Sequence, residues 1–284
     1  MPLKKDILLT GASGAIGGAI ARGLSREGYR LHLTSRDPQK LNPLKQELAA
    51  SGADVKLYPL ELSDMSACQE VVKTFLAAAE QPVGLICNAG DYGVLGPFTD
   101  IDFSLWRRSL DTNFFSHAAM IHAFAKEFRR SEAGASIIVL SGAGLGGNAT
   151  FAHATSYSTA KAALTHLVEA LAPELLPLGI TINAVSPGAV LSGITEQALR
   201  AGDRAPAFFA AAKKCKESNG VPADLTAQLV SFLLSDKARG VSGRLLSARF
   251  DQEALRRRAP SAEGDPNLYR LRRIDAETFL EKTK

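Results

Sequence analysis

Seven short apolar runs, separated by stretches long enough for a helix, constrain this chain more than any other feature of its 284 residues. They fall at residues 7–10, 31–34, 55–58, 83–87, 136–141, 180–185 and 245–247. The runs are nearly continuous in Val, Ile and Leu, a pattern expected of strands covered on both faces. Alternation with helices predicts parallel strands joined by right-handed crossovers. The expected architecture is α/β: a doubly wound, seven-stranded parallel sheet flanked by helices. One domain should span residues 1–250, with an Ala- and Lys-rich lid near 200–220. From residue 251 the composition shifts to Arg, Pro and acidic residues, which predicts a C-terminal tail over 251–284.

Composition removes several function classes. The longest aliphatic run is residues 137–140, far short of the roughly 20 apolar residues of a membrane-spanning helix. Lys4 and Lys5 before an apolar stretch imitate a secretory signal, but Asp6 and the glycines from Gly11 to Gly18 interrupt the imitation. A net charge of +4, from 33 basic and 29 acidic residues, is too dispersed to predict a nucleic-acid partner. Cys68, Cys87 and Cys215 are widely spaced with no CxxC pair. They predict a reducing, cytoplasmic setting and no metal site.

Two local patterns carry chemistry. Gly11, Gly14 and Gly17 lie between the first strand and a helix starting near Ala15. Glycines there permit a tight turn and let backbone N–H groups approach a pyrophosphate, which a helix N-terminus favours. A glycine-rich turn that merely packs a helix on a sheet has the same composition. Tyr157 and Lys161 stand four residues apart at the start of a helical segment expected over 156–178, so both project from one face. An ammonium beside a phenol favours the phenolate, which would make Tyr157 a proton donor and acceptor near neutral pH.

Taken together with Asn88-Ala89-Gly90, Asn113 and Asn183-Ala184-Val185-Ser186-Pro187-Gly188, these patterns make residues 4–248 resemble the short-chain dehydrogenase/reductase superfamily. The resemblance implies a Rossmann-type fold and an NAD(P)-dependent oxidoreductase that interconverts a carbonyl and a secondary alcohol. It implies Tyr157 as general acid and base, Lys161 as the group holding the nicotinamide ribose, and Asn113 as the anchor of a water relay. The cofactor site would comprise Gly11, Ser13, Gly14, Ile16, Gly17, Ser35, Arg36, Glu61, Leu62, Asn88, Ala89, Gly90, Tyr157, Lys161, Pro187 and Gly188. A small-molecule substrate and a homodimer or homotetramer complete the expectation. The competing reading is a catalytically silent dinucleotide-binding protein with a regulatory or structural role.

One family position departs. The serine that members place after the fifth strand corresponds here to Gly144 by distance from Tyr157, or to Gly142 by strand end. Ser141 is the nearest hydroxyl and the expected oxygen-binding residue; the plainer alternative is a strand-end serine bonded to backbone. Asn148, Thr150 and His153 are the substitutes, while His117 and His122 are off register for a shared ligand. NADP(H) is expected over NAD(H), because the second strand ends in Ser35 and Arg36 where an acidic residue would accept from a ribose 2′-OH. Asp37 leaves NAD(H) open, since a one-residue shift would bring its carboxylate to the ribose.

Overall fold

The computed structural model describes residues 3–128, 134–142, 145, 152–257 and 268–271. Seven parallel strands form one sheet in the order β3-β2-β1-β4-β5-β6-β7. They are β1 (Lys5–Thr10), β2 (Arg30–Ser35), β3 (Val55–Pro59), β4 (Gln81–Cys87), β5 (Ala135–Leu140), β6 (Ile180–Ser186) and β7 (Leu245–Ser247). Each apolar run of the sequence became a strand, because parallel strands bury both faces and no polar alternation is needed to place them.

The two faces are covered differently. Ile7, Leu9, Leu31, Leu33 and Ile138 point to one side. There α1 (Ala15–Arg26) and α9 (Ala223–Leu234) close over them with Ile20, Leu24, Val230 and Leu233; α2 (Asn42–Ala50) completes that side with Leu44 and Leu48. Leu8, Leu85, Ile137, Val139 and Ile182 point to the other, beneath α3 (Met65–Ala78), α5 (Ser116–Glu127) and α6 (Thr155–Leu175). Each fully buried Leu or Ile contributes about 1.5–3 kcal/mol relative to exposure.

Three departures matter for the site. The helix expected over 156–178 ends at Leu175 and continues as a 3-10 turn, Leu176–Leu178. Between α4 (Phe103–Leu110) and α5 the chain makes a π-helical turn, Asp111–Phe115, of the kind that inserts at functional positions. In the segment expected to form a lid, helical structure begins earlier than residue 200, as α7 (Gly193–Ala201) followed by α8 (Pro206–Glu217). These helices pack through Ala198, Ala205, Phe208 and Ala212 on Ala154 and Tyr92.

Beyond β7, a short α10 (Gln252–Arg257) follows. Residues 268–271 lie on the chain itself: Leu245 N donates to Tyr269 O at 2.7 Å and Leu271 N to Glu169 Oε1 at 2.6 Å. Ile274, Phe279 and Leu280, further along the tail, lie outside the described residues. Among the described residues no helix is long and apolar enough to cross a membrane.

Candidate active site

The strand order reverses between β1 and β4, and the crevice at their carboxyl ends is where doubly wound sheets bind ligands. Gly11 adopts φ +68°, a left-handed conformation that glycine reaches without a Cβ penalty. A Cβ on Gly17 would stand 2.3 Å from Gly11 O, whereas one on Gly14 would meet only Gly11 O, at 3.5 Å. The loop is therefore closed on its inner side and open towards the cleft. The end of β4 braces it: Asn88 Nδ2 donates to Thr10 O at 2.8 Å, and Asn88 N and Ala89 N donate to Thr10 Oγ1 at 2.9 and 3.0 Å.

The resulting cleft has a volume of about 460 Å³. Gly11, Ser13, Gly14, Ile16 and Gly17 line it with Ser35, Arg36, Glu61, Leu62, Asn88, Ala89 and Gly90, so residues from four strand ends converge as the sequence proposed. Arg36 is exposed and makes no ion pair among the described residues. Asp37 does not line the cleft; its carboxylate accepts from Gln39 N at 3.0 Å and caps a 3-10 turn, Pro38–Leu41. Glu61 accepts from Ser63 N and Ser63 Oγ, both at 3.1 Å. A cradle of backbone donors at a twelve-residue helix, two hydroxyls and an uncommitted guanidinium suit the pyrophosphate and ribose of a dinucleotide.

A second cavity, of about 350 Å³, holds Tyr157 and Lys161. Ile16, Asn88, Gly90, Ser192 and Ile194 line both spaces and so form the passage between them. Lys161 Nζ donates to Leu140 O at 2.7 Å and stands 5.7 Å from the Tyr157 ring centre. Burial lowers the Lys161 pKa to about 8, with Cys87 and Asp91 pulling the other way. Burial pushes the Tyr157 phenol up, and Tyr92 and Asp91 add to the rise. The expected depression of the Tyr157 phenol by Lys161 is not seen in this arrangement, where burial dominates the phenol and the Lys161 ammonium is bonded to Leu140 O instead.

Asn113 lies in the π-helical turn, fully buried behind Gly90 rather than in either cavity. A Cβ on Gly90 would stand 2.6 Å from Asn113 Oδ1 and 3.7 Å from Lys161 Nζ, so glycine lets the two groups approach. The Asn113 amide is engaged: Nδ2 donates to Ser109 O at 2.9 Å, and Oδ1 accepts from Asp91 N at 3.2 Å.

Ser141 borders the cavity, but its hydroxyl is paired with Thr165 Oγ1 at 2.6 Å and donates to Lys161 O at 3.3 Å. Both partners lie on α6, so the hydroxyl is engaged across the β5–α6 contact, in part to backbone, and not turned to a ligand. Pro187, Gly188 and Gly142 line the cavity as well. Asn148, Thr150 and Gly144 lie outside the described residues. His153 takes φ +68° and lines neither cavity.

Sequence reasoning missed Tyr92, Phe208, Ser192 and Ile194. Tyr92 sits edge-on to Tyr157 and to Phe208, with ring centres 4.8 and 5.1 Å apart. Ser192 precedes α7 and its N–H donates to Thr195 Oγ1 at 3.1 Å. The Ser-x-x-Thr spacing was a readable helix-start signal; no comparable signal marked Tyr92.

The sequence pattern of the short chain dehydrogenase family matches residues 5–202. The chain belongs to that family. Among curated relatives, the 3-oxoacyl-[acyl-carrier-protein] reductase of Rickettsia felis is 30% identical over 244 residues, 85% of this chain and 94% of the relative. Among solved structures, levodione reductase superposes with a TM-score of 0.77 at 22% identity, over 89% of this chain and 99% of that one. A short chain dehydrogenase from Burkholderia cenocepacia, in complex with NADP, gives 0.73 at 25% identity, over 86% and 96%. This short-chain dehydrogenase is an NAD(P)-dependent oxidoreductase of carbonyls and alcohols.

Proposed function

We propose that this short-chain dehydrogenase reduces a ketone with an apolar flank, using NADP(H) in preference to NAD(H) and Tyr157 as the proton donor. The observation that carries the reading is the buried Tyr157–Lys161 pair, set in a cavity that opens into the dinucleotide cleft. Ser13, Ser35 and Arg36 would hold the adenosine end, and Tyr157, Lys161, Pro187 and Gly188 the nicotinamide end. The bound cofactor supplies or accepts the hydride.

The chain's own residues handle the charge. As a carbonyl oxygen becomes an alkoxide it needs a nearby acid in a water-poor pocket, and a phenol kept protonated by burial meets that need. Lys161, anchored on Leu140 O, stays close enough to the phenol to offset the negative charge left on it. The proton is then replaced through Lys161 and a water held by the backbone at Asn113. Ser141 and Thr165 tie α6 to the end of β5 and keep Tyr157 in register. Support for NADP(H) comes from the exposed Arg36 in the cleft and from the Asp37 carboxylate, which is spent on a helical cap.

The test is turnover. With a carbonyl substrate, followed at the nicotinamide absorbance, Tyr157→Phe should remove about 100- to 10,000-fold of the rate while leaving cofactor binding intact. Near-full activity in that variant would remove Tyr157 from the role of proton donor, and a wild type that binds the cofactor without turnover would return the protein to the silent dinucleotide-binding reading.

A further inference from the structure

Among the described residues the site has one acid, and none of the hydroxyls considered so far is a second donor for the substrate oxygen. Residue 142, the position that matching by strand end gives to the family's hydroxyl, is glycine at φ +140°. Besides Tyr157, five hydroxyl-bearing residues border the cavity: Tyr92, Ser141, Ser186, Ser192 and Thr195. Ser141 is paired with Thr165. Thr195 Oγ1 accepts from Ser192 N and donates to Val190 O. Ser192 stands at the passage into the dinucleotide cleft, and Tyr92 is fixed by its ring against Tyr157 and Phe208 on the lid side.

Ser186 remains. It ends β6 beside the end of β5, where Ser141 N donates to Val185 O at 2.8 Å. Its hydroxyl makes no hydrogen bond to the described residues. Its Oγ lies 3.8 Å from the point a Cβ on residue 142 would occupy, nearer than any other described residue apart from the immediate chain neighbours. The glycine thus clears the approach, and the neighbouring strand presents a free hydroxyl at the vacated place.

We propose that Ser186 is the catalytic hydroxyl that holds the substrate carbonyl oxygen beside Tyr157, taking over from the side chain absent at residue 142. The proposal rests on the ketone-reducing function proposed above. In reduction, a C–H bond forms at the carbonyl carbon with the hydride of reduced cofactor, and the π electron pair moves onto oxygen. That oxygen takes the proton of Tyr157, while Ser186 donates a hydrogen bond to it and keeps its own proton. A donor aimed at the developing alkoxide, and not at the cofactor, acts on the chemical step and leaves dinucleotide affinity alone.

The experiment uses the full chain with NADPH and a panel of β-keto esters and cyclic ketones, comparing wild type, Ser186→Ala, Ser186→Thr, Ser141→Ala and Tyr157→Phe. Ser186→Ala should lower kcat/KM about 30- to 1,000-fold, with NADPH affinity and thermal midpoint unchanged, and Ser186→Thr should recover most of the loss. A loss below threefold in Ser186→Ala, in a protein that Tyr157→Phe inactivates, overturns the role of Ser186 and leaves that of Tyr157 standing. So does a greater loss in Ser141→Ala than in Ser186→Ala. A wild-type chain that binds NADPH and reduces no ketone of the panel defeats the ketone-reducing reading, and Ser186 falls with it.

Discussion

Side chains whose surroundings contradict their ordinary chemistry are the most informative single residues here. His117 is fully buried on α5, and neither ring nitrogen has a hydrogen bond of good geometry. Burial and the nearby Lys161 lower its pKa to about 3, against the weaker pull of the Ala89 backbone. The unfolded chain, with a histidine pKa of about 6.5, binds this proton first. Its neutral form is therefore no burden above that value, and stability falls as pH drops from about 6.5 towards 3, by about 1.4 kcal/mol per pH unit. His117→Leu should remove that part of the slope and match or exceed wild-type stability at pH 7, since it replaces two unpartnered polar atoms. Urea midpoints at pH 7 and pH 5 measure both effects. His32 has the same sign, lowered by burial, but it is satisfied between Asp6 and Tyr58 at 2.9 Å on each side. At the opposite end of the cleft, Arg36→Ala should weaken NADPH by about 10- to 150-fold and leave NADH nearly unchanged, as expected for a lost charge-assisted bond of about 1.5–3 kcal/mol. Fluorescence titration of both cofactors reads the difference, and tighter NADH than NADPH binding by the wild type would reverse the cofactor preference.

Among the elements, the loop between β1 and α1 is the least tolerant of change. A Cβ on Gly17 would meet Gly11 O at 2.3 Å, Ala12 Cα at 2.8 Å and Asn88 Nδ2 at 2.9 Å, two of them backbone atoms that cannot rotate away. Gly17→Ala should displace the loop from its brace, lowering cofactor affinity tenfold or more and costing about 1–3 kcal/mol of stability. Gly14→Ala, with one contact at 3.5 Å, should keep the fold. Comparing cofactor titrations and melting curves of the two variants separates packing from ligand contact. The π-helical turn shows the same economy: its tight packing, through Asn113, depends on Gly90 having no side chain.

For the molecule as a whole, residues 268–271 of the tail belong to the folded body. Arg244 is 1% exposed in the sheet layer, and its Nη1 donates to Leu268 O at 2.6 Å, while Tyr269 packs on the core face shared by α1 and α9. Ending the chain after Arg257 would leave a buried guanidinium short of one acceptor and β7 short of its outer hydrogen bond. The expected cost is about 1.5–3 kcal/mol, a melting point lower by about 3–10 °C. Turnover at 25 °C should survive, because the cleft and cavity are lined by residues 11–215, with Tyr157, Lys161 and Arg36 all retained. Calorimetry and an activity assay on the truncated chain check the two halves of that statement.

What the sequence by itself determined is whatever depends on local pattern. Apolar runs located the strands, glycine spacing located the loop, and the four-residue interval put Tyr157 and Lys161 on one helical face, since backbone period alone sets these. The tertiary structure decided where side chains spend their polar atoms. Asp37 and Ser141 both looked available for a ligand; one caps a 3-10 turn, and the other bonds Thr165, 24 residues away. Tyr157 was expected to be acidified by its lysine, and in the fold burial, with Tyr92 and Asp91, pushes the phenol the other way. Ser186 was legible only as part of a Pro-Gly motif until the fold set its hydroxyl beside the empty position at Gly142. Hydrogen-bond partners and desolvation depend on atoms remote in sequence, and no local period encodes them.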